Sequence, residues 1–242
     1  MEVEEYARIA AVEDDHWWYR NTRAVAHDLL EPWLGGEPRI LDAGCGPGGN
    51  GASFAGDGPV IGVDLSADAL AFVRARRPAT LPARARIEAL PFADGVFDVA
   101  LAITVLYTVP DDAGALGELA RVVRRDGAVL LVEPAFASLG RAHDATVHGR
   151  RRFRRPALAD LARRAGLVIE RSTYAYSFLA PPAAALGVYD RLRHRRRTPA
   201  GSDVDRRALD RLFEPLAAAE RRWLTSHDVP WGTSVLVLAR RA

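Results

Sequence analysis

Residues 39–49 read Arg-Ile-Leu-Asp-Ala-Gly-Cys-Gly-Pro-Gly-Gly, and the fold is predicted outward from this stretch. A short apolar run that ends in Asp42 and is followed by closely spaced glycines indicates a buried strand that passes through a tight loop into a helix. Glycine lets the backbone approach a ligand without a Cβ in the way, and Pro47 suits the first turn of a helix because no N–H is needed there. The stretch therefore predicts a loop that holds a small molecule, with a helix starting near Pro47.

The glycine loop alone leaves two cofactor classes open. Gly44, Gly46 and Gly49 also match the G-x-G-x-x-G pattern of dinucleotide sites. Asp64 ends the next apolar run and follows Gly44 by about 20 residues, the spacing at which a carboxylate accepts both hydroxyl protons of a ribose. Asp64 is therefore the strongest single candidate for a binding residue.

Strand and helix patterns alternate from residue 39 onward, which is typical of a doubly wound α/β fold with a mostly parallel sheet. Strands are predicted at 40–42, 60–64, 84–89, 97–103, 128–133, 167–171 and 234–239. Helices are predicted at 67–76, 112–123, 156–165, 183–196 and 204–224, the last of them broken at Pro215.

The length of 242 residues favours one domain. Within it we expect an N-terminal helical lid over 1–36, a core formed by 37–174 and 233–242, and a helical cap insertion over 175–232. The aromatic run at 16–20 does not fit one helical stripe, so part of it is expected to face something other than the core.

The composition excludes several classes of protein. Cys45 is the only cysteine, so no disulfide framework or cysteine metal cluster is expected, and no metal site is predicted. No signal peptide or membrane-spanning stretch is visible, which favours a cytoplasmic protein. The net charge is only +2, yet all 33 basic residues are arginine. Arginine clusters at 150–155, with Arg141, and at 191–197 are either solvated faces or docking sites for an anionic substrate or nucleic acid.

Several motifs together resemble the class I S-adenosylmethionine-dependent methyltransferases, in particular their small-molecule branch. The resemblance runs from residue 16 to about 170, and the motifs that carry it lie at 41–48, 62–66, 89–92, 97–99 and 125–128. It implies a Rossmann-like, seven-stranded sheet whose last strand is antiparallel. It also implies S-adenosyl-L-methionine as cofactor, with S-adenosyl-L-homocysteine as product.

The resemblance further implies roles for residues at the carboxyl edge of the sheet. The loop 44–48 would approach the amino-acid part of the cofactor, Asp64 its ribose, and an arginine of the lid its carboxylate. Relatives often carry an acidic residue where this chain has Arg86, so Glu88 or the backbone is expected to contact adenine instead. The implied cofactor-binding set is Tyr19, Arg20, Arg23, Asp42, Gly44, Cys45, Gly46, Asp64, Leu65, Ala89, Leu90, Ile103 and Thr104.

A general base, if the acceptor is a hydroxyl, should lie on the loops that follow the fourth and fifth strands. Tyr107, His143, Asp144 and His148 are on these loops, and His16 is a further candidate. Histidine takes up a proton near neutral pH, so His143 and His148 are the candidate bases. Tyr107 is the candidate for orienting the acceptor. The spacing of His143, Asp144 and His148 fits no metal signature.

The leading interpretation is an enzyme that methylates O, N or C of a small molecule, for example a natural-product intermediate with an anionic or aromatic portion. A nicotinamide-dependent oxidoreductase is less favoured, because the motifs at 89–92 and 97–99 would have no role in it. A cyclase or sensor that binds the same cofactor without transferring the methyl group stays open, because fold does not fix function. An RNA methyltransferase ranks low, because acidic residues nearly balance the arginines. Both a monomer and a homodimer are compatible with the sequence.

Overall fold

The computed structural model describes residues 3–139, 147–183, 185 and 210–242. One sheet has the strand order β3-β2-β1-β4-β5-β7-β6. Neighbours from β3 to β5 pair in parallel, and β7 pairs antiparallel with both β5 and β6. The predicted doubly wound sheet with an antiparallel last strand is confirmed. The strands are β1 Ile40–Ala43, β2 Val60–Asp64, β3 Thr80–Arg84, β4 Phe97–Ile103, β5 Val123–Pro134, β6 Leu167–Ala175 and β7 Ser234–Arg241.

Helices cover both faces of this sheet. Ser66 caps one of them by accepting a hydrogen bond from Ala69 N at 3.3 Å, and Asp111 caps another by accepting from Gly114 N at 2.9 Å. None of the helices within the described ranges is long and apolar enough to cross a bilayer. The helices are α1 Val3–Val12, α2 Trp17–Leu30, α3 Gly49–Ala52, α4 Ala67–Arg76, α5 Asp112–Val122, α6 Arg155–Arg164 and α7 Asp210–Leu224.

The predicted third strand at 84–89 is wrong. The strand lies at Thr80–Arg84, where it pairs with β2 in the register Val60↔Thr80 to Asp64↔Arg84. Pro82 lies within this strand and has no N–H to donate, which is tolerated because β3 is the edge of the sheet. The chain then turns back on itself, with Ala89 N donating to Arg86 O at 3.1 Å.

The core has two layers, one on each face of the sheet. On one face, alternate residues of the central strands pack against α5 and α6, with Leu116, Leu119 and Leu158 buried among them. On the other face, the remaining strand residues pack against α2 and α7, which bury Leu30 and Leu224. Alternation along each strand therefore gives the sheet two apolar faces.

The described part of the cap insertion packs on a face of the sheet. Helix α7 lies beside α2, and the Arg221 guanidinium forms two hydrogen bonds with Asp28 at 2.6 and 2.7 Å. The helix runs without a break through Pro215, so the predicted break is wrong. A proline removes one helical hydrogen bond, and burial of Ala217 and Leu224 in the core offsets that loss. The predicted helix at 183–196 lies almost entirely outside the described residues, and α7 is the described part of the one at 204–224.

Residues 3–36 divide into two parts. Helix α2 belongs to the core layer, whereas α1 lies against α4 at the carboxyl edge of the sheet. Arg77 Nη2 donates to Glu13 at 2.7 Å and to Asp14 at 2.6 Å, and Arg76 donates to Asp14 at 2.9 Å. These bonds fasten the end of α1 to α4.

Two leucines of the sheet test the strand order. Leu130 in β5 is fully buried, whereas Leu81 in β3 is 63% exposed. Leu130→Ala should lower the free energy of unfolding by about 2–5 kcal/mol, because it leaves a cavity in the core. Leu81→Ala should change it by no more than about 0.5 kcal/mol. Urea unfolding followed by circular dichroism measures both, and similar losses would contradict a central β5 and an edge β3.

Candidate functional site

The glycine loop lies at the carboxyl edge of the sheet, between β1 and α3. Gly44 has φ +79°, and a Cβ built on it would lie 2.5 Å from the side chain of Val105. Gly46 has φ +53°, and a Cβ there would meet nothing within 4 Å. The loop is thus packed tightly at Gly44 and open at Gly46. Helix α3 begins at Gly49, two residues beyond the predicted start.

Asp64 lies at the end of β2 and faces this loop. Its Oδ2 accepts from Gly46 N at 2.9 Å, and its Oδ1 accepts from Ser66 N at 2.9 Å. Burial raises the pKa of Asp64, and the two N–H donors oppose that rise. A carboxylate offers about four lone-pair positions, so two stay available for hydroxyl groups of a ligand. The exposed side chain of Leu65 follows directly and offers an apolar surface.

Asp42 lies beneath the loop. It is 1% exposed, and its Oδ2 accepts from Gly51 N at 2.7 Å. Burial raises the pKa of Asp42 to about 7, with the Gly51 N–H opposing the rise. The side chain therefore holds α3 against β1, and its predicted contact with the cofactor stays a prediction. Cys45 is also buried, and burial raises the pKa of its thiol well above the usual value.

A cluster of charged side chains lies beside the amino end of α3. Glu13 Oε2 accepts from Gly49 N at 3.1 Å, while Glu13 Oε1 accepts from Arg77. Arg23 lies close to this carboxylate, and its Nη1 atom is buried without a hydrogen-bond partner among the described residues. Burial lowers the pKa of Arg23, although Glu13 opposes the shift. A buried guanidinium nitrogen with an unused N–H can bind an anionic group.

Tyr19 and Arg20, the other two predicted residues of the lid, differ in their surroundings. Tyr19 contacts the same cluster, and burial followed by the nearby Glu13 charge raises its pKa. Arg20 forms an exposed ion pair with Glu214 of α7 at 2.9 Å. The structure thus brings Tyr19 and Arg23 to the glycine loop and leaves Arg20 at the surface.

The segment after β3 holds the predicted adenine contacts. Leu90 is buried, and its N–H donates to Glu118 at 2.8 Å. Ala89 is exposed, and Glu88 pairs with Arg86 at 2.8 Å. The Arg86 position that departs from the family pattern thus makes a local ion pair with Glu88.

The loop after β4 lies next to the glycine loop, because Val105 packs on Gly44. Ile103 is buried, and Thr104 has φ +56°, an uncommon value for a β-branched residue. The next three residues donate their N–H groups to Glu133 of β5. Tyr107 is 7% exposed and packs in the core beneath the loop.

The candidate bases separate in the structure. His148 is exposed in a left-handed backbone conformation with φ +59°. His143 and Asp144, together with Arg141, lie outside the described residues. His16 caps α2, since its Nδ1 accepts from Trp18 N at 3.2 Å. That bond gives His16 a structural role, whereas the roles of Tyr107, His143 and His148 stay predictions.

Sequence reasoning missed two residues of this edge. Tyr6 of α1 is 7% exposed and lies close to Asp64 and Ser66; burial, followed by the Asp64 charge, raises its pKa to about 12. The sequence predicted only that this segment belongs to the N-terminal helical lid. Glu133 was passed over as the end of a strand, although an acidic residue at the end of a wholly apolar run was a usable signal.

Comparisons with known proteins agree with this geometry. A family model described as a methyltransferase domain matches residues 41–131, which include the glycine loop, Asp64 and β4. The chain is 38% identical over 144 residues to a malonyl-acyl-carrier-protein O-methyltransferase of Pseudescherichia vulneris, covering 58% of this chain and 56% of the relative. This chain thus carries, over residues 41–131, a domain that matches the S-adenosylmethionine-dependent methyltransferases. It spans about half the length of this curated relative.

Solved methyltransferase structures share the fold. An S-adenosylmethionine-dependent methyltransferase from Mesorhizobium loti superposes with a TM-score of 0.60 at 19% identity, covering 95% of this chain and 100% of that chain. The 4+2 cyclase SpnF superposes with a TM-score of 0.60 at 20% identity, covering 93% of this chain and 83% of that chain. The methyltransferase fold therefore extends well beyond the residues that the family model matches.

The described residues fit S-adenosylmethionine, the cofactor of this family. The unpaired Nη1 of Arg23 suits the cofactor's carboxylate, and the free lone pairs of Asp64 suit the ribose hydroxyls. The backbone of Gly46 is open to a close neighbour. The family match thus decides between the two cofactor classes that the glycine pattern had left open.

Asp42 should make stability depend on pH. Its pKa of about 7 in the folded chain exceeds the ordinary value of about 3.9, so its stabilising share is complete below pH 4 and is lost as pH rises through 7. Asparagine does not ionise, so the Asp42→Asn variant is spared this pH-dependent loss of stability. Its free energy of unfolding, relative to that of the native chain, should therefore rise by about 2–3 kcal/mol between pH 5 and pH 8. Urea unfolding at both pH values measures the difference.

Asp98→Asn is the matched control. Although burial raises the pKa of Asp98, hydrogen bonds from Arg124 and Arg39 N outweigh it and lower that pKa. Its effect on stability should therefore be the same at pH 5 and pH 8. If the free energy of unfolding of Asp42→Asn relative to the native chain is the same at both pH values, then burial does not raise the pKa of Asp42.

Asp64→Ala should weaken binding of S-adenosylhomocysteine by roughly 30-fold or more, because a charged acceptor of two ribose hydroxyls is lost. Isothermal titration calorimetry measures the dissociation constant. Asp68→Ala, four residues along and exposed on α4, should change it by less than threefold. Equal affinity of the Asp64→Ala variant and the native chain would remove Asp64 from the binding site.

Proposed function

We propose that this protein transfers a methyl group from S-adenosylmethionine to an O, N or C atom of a small molecule. The observation that supports this most is the placement of Asp64 between Gly46 N and Ser66 N. In addition, Arg23, with its unused Nη1, lies near Glu13, which accepts from Gly49 N at the other end of the loop. Asp64 offers a site for hydroxyls and Arg23 one for a carboxylate. The match of residues 41–131 to a methyltransferase domain supports methyl transfer as the reaction.

The bound cofactor supplies a methyl group on a positively charged sulfur, and the protein supplies position and exclusion of water. Asp64 holds the ribose, Arg23 holds the carboxylate, and Leu65 offers an apolar surface for the adenine. Tyr6 and Tyr19 cover this edge from α1 and α2. The loop after β4 forms the wall on the side from which the acceptor attacks.

We further propose that the acceptor is anionic, with a carboxylate as the favoured group. Arg150 and Arg154 are exposed on the segment that borders the loop after β4, and Arg150 N donates to Tyr107 O at 2.8 Å. The relative from Pseudescherichia vulneris is named for a malonyl thioester. A carboxylate oxygen is ionised at neutral pH and can attack without a base, so His148 or His143 would act as base only for a hydroxyl acceptor.

Incubation with S-adenosylmethionine carrying a tritiated methyl group tests the proposal. We expect label in malonyl coenzyme A or malonyl-acyl carrier protein and none in the corresponding butyryl thioesters, in which a methyl group stands in the place of a carboxylate oxygen. Asp64→Ala should lose this transfer, and Asp68→Ala should keep it.

The outcomes separate the alternatives. Label in a neutral or aromatic acceptor alone would overturn the anionic acceptor but keep the methyl transfer. Tight binding of S-adenosylhomocysteine without label in any acceptor would favour a cyclase or sensor, a possibility that the shared fold with SpnF keeps open. Absence of cofactor binding would overturn the proposal as a whole.

A further inference from the structure

Glu133 is a fully buried acidic residue that no ligand contact explains. It stands next to the last residue of β5, and its side chain is 0% exposed. Oε1 accepts from Val105 N at 3.1 Å and from Leu106 N at 2.8 Å, while Oε2 accepts from Tyr107 N at 3.1 Å. One carboxylate therefore holds three successive N–H groups of the loop after β4.

The loop depends on this acceptor because its backbone has left the sheet. Thr104 N still donates to Val132 O at 2.7 Å, but the left-handed turn at Thr104 then directs the following N–H groups inward. Val105, Leu106 and Tyr107 are all buried, so water cannot replace a lost partner. An unpaired buried N–H is costly, and a carboxylate can accept all three at once.

A second contact holds the loop from its other side. Tyr107 O accepts from Arg150 N at 2.8 Å, and Arg151 Nη2 donates to Val109 O and Pro110 O at 3.0 Å each. Arg151 also pairs with Asp112 at the start of α5. The loop is thus fixed between β5 and the segment that follows residue 147.

The position of this loop matters to both ligands. Val105 packs on Gly44 of the glycine loop, and Tyr107 is joined to the segment that carries the exposed Arg150. A shift of the loop by even 1 Å would change how an acceptor meets the methyl group, and such misplacement can cost about 100-fold in rate.

We propose that Glu133 is a positioning residue for methyl transfer: its carboxylate sets the place of residues 104–109, the wall against which the acceptor lies, without touching acceptor or cofactor. This inference rests on the proposed function, since it concerns the geometry of that same site. It differs from a purely structural role, which would affect stability and cofactor binding as much as transfer.

Glu133→Gln is the test. The amide keeps the size of the side chain, but its NH2 group must face at least one loop N–H, so two donors oppose each other. Assays at pH 9 keep the native carboxylate ionised, because burial raises the pKa of Glu133 to about 8. Asp98→Asn is the matched control: Asp98 also accepts a backbone N–H, from Arg39 at 2.8 Å, and lies at the opposite end of β4.

Three measurements are compared for these variants. We expect amide hydrogen exchange at residues 105–107 to accelerate at least tenfold in Glu133→Gln and to stay unchanged in Asp98→Asn. We expect kcat/KM for malonyl coenzyme A to fall at least tenfold more than the affinity for S-adenosylhomocysteine. Glu133→Asp, which keeps the charge on a shorter side chain, should recover part of the rate, and it replaces Glu133→Gln in the comparison if the amide variant does not fold.

The contrary results are distinct. Unchanged hydrogen exchange at residues 105–107 in Glu133→Gln overturns the inference. It is also overturned if Asp98→Asn loses as much kcat/KM as Glu133→Gln, or if Glu133→Gln loses as much affinity for S-adenosylhomocysteine as it loses kcat/KM. If the native chain labels no acceptor, the proposed methyl transfer fails and the proposed role in transfer falls with it, while the exchange data still show whether Glu133 holds the loop.

Discussion

Hydrogen bonds from loop N–H groups to carboxylates at strand ends are the interaction on which the rest of this structure depends. Asp42, Asp64 and Glu133 stand at or next to the carboxyl ends of β1, β2 and β5. Asp64 and Glu133 accept N–H groups from neighbouring loops, and Asp42 accepts the Gly51 N–H of α3 directly after the glycine loop. A chain that leaves a buried sheet edge carries N–H groups cut off from water, and each unpaired one costs about 1–3 kcal/mol. These carboxylates meet that need and give the loops defined positions.

The three carboxylates have different roles because they differ in how deeply they are buried. Asp42 and Glu133 are almost wholly buried, so their oxygens are available only to the protein's own backbone. Asp64 is partly exposed and keeps lone pairs toward the open side of Gly46. Asp42 and Glu133 thus only hold the backbone of the site in place, whereas Asp64 holds the backbone and also offers acceptor oxygens to a ligand.

Several features were predictable because they depend on residues close together in the chain. The glycine loop, the strand that precedes it and the helices predicted at 67–76 and 112–123 follow from local chemistry, and the structure has each of them. The errors came where a distant contact outweighed the local pattern. Thr80–Arg84 forms a strand despite Pro82 because it is an edge, and α7 continues through Pro215 because its inner face is buried.

Neighbouring arginines show the same limit. Arg150 and Arg151 are indistinguishable in the sequence, yet one is exposed and the other binds loop carbonyls and Asp112. Their difference depends on which side of the segment faces the loop after β4.

The alternation of strands and helices, the glycine loop and the position of Asp64 at the end of β2 were determined by the sequence alone, because short-range periodicity and glycine chemistry act within a few residues. Only the tertiary structure decided which arginine carries a buried Nη1 without a hydrogen-bond partner, where Tyr6 packs, and which N–H groups Glu133 accepts. Those contacts join residues far apart in the chain, such as Glu133 and Val105 or Tyr6 and Asp64. Their pairing follows from the packing of the sheet, which no local pattern records.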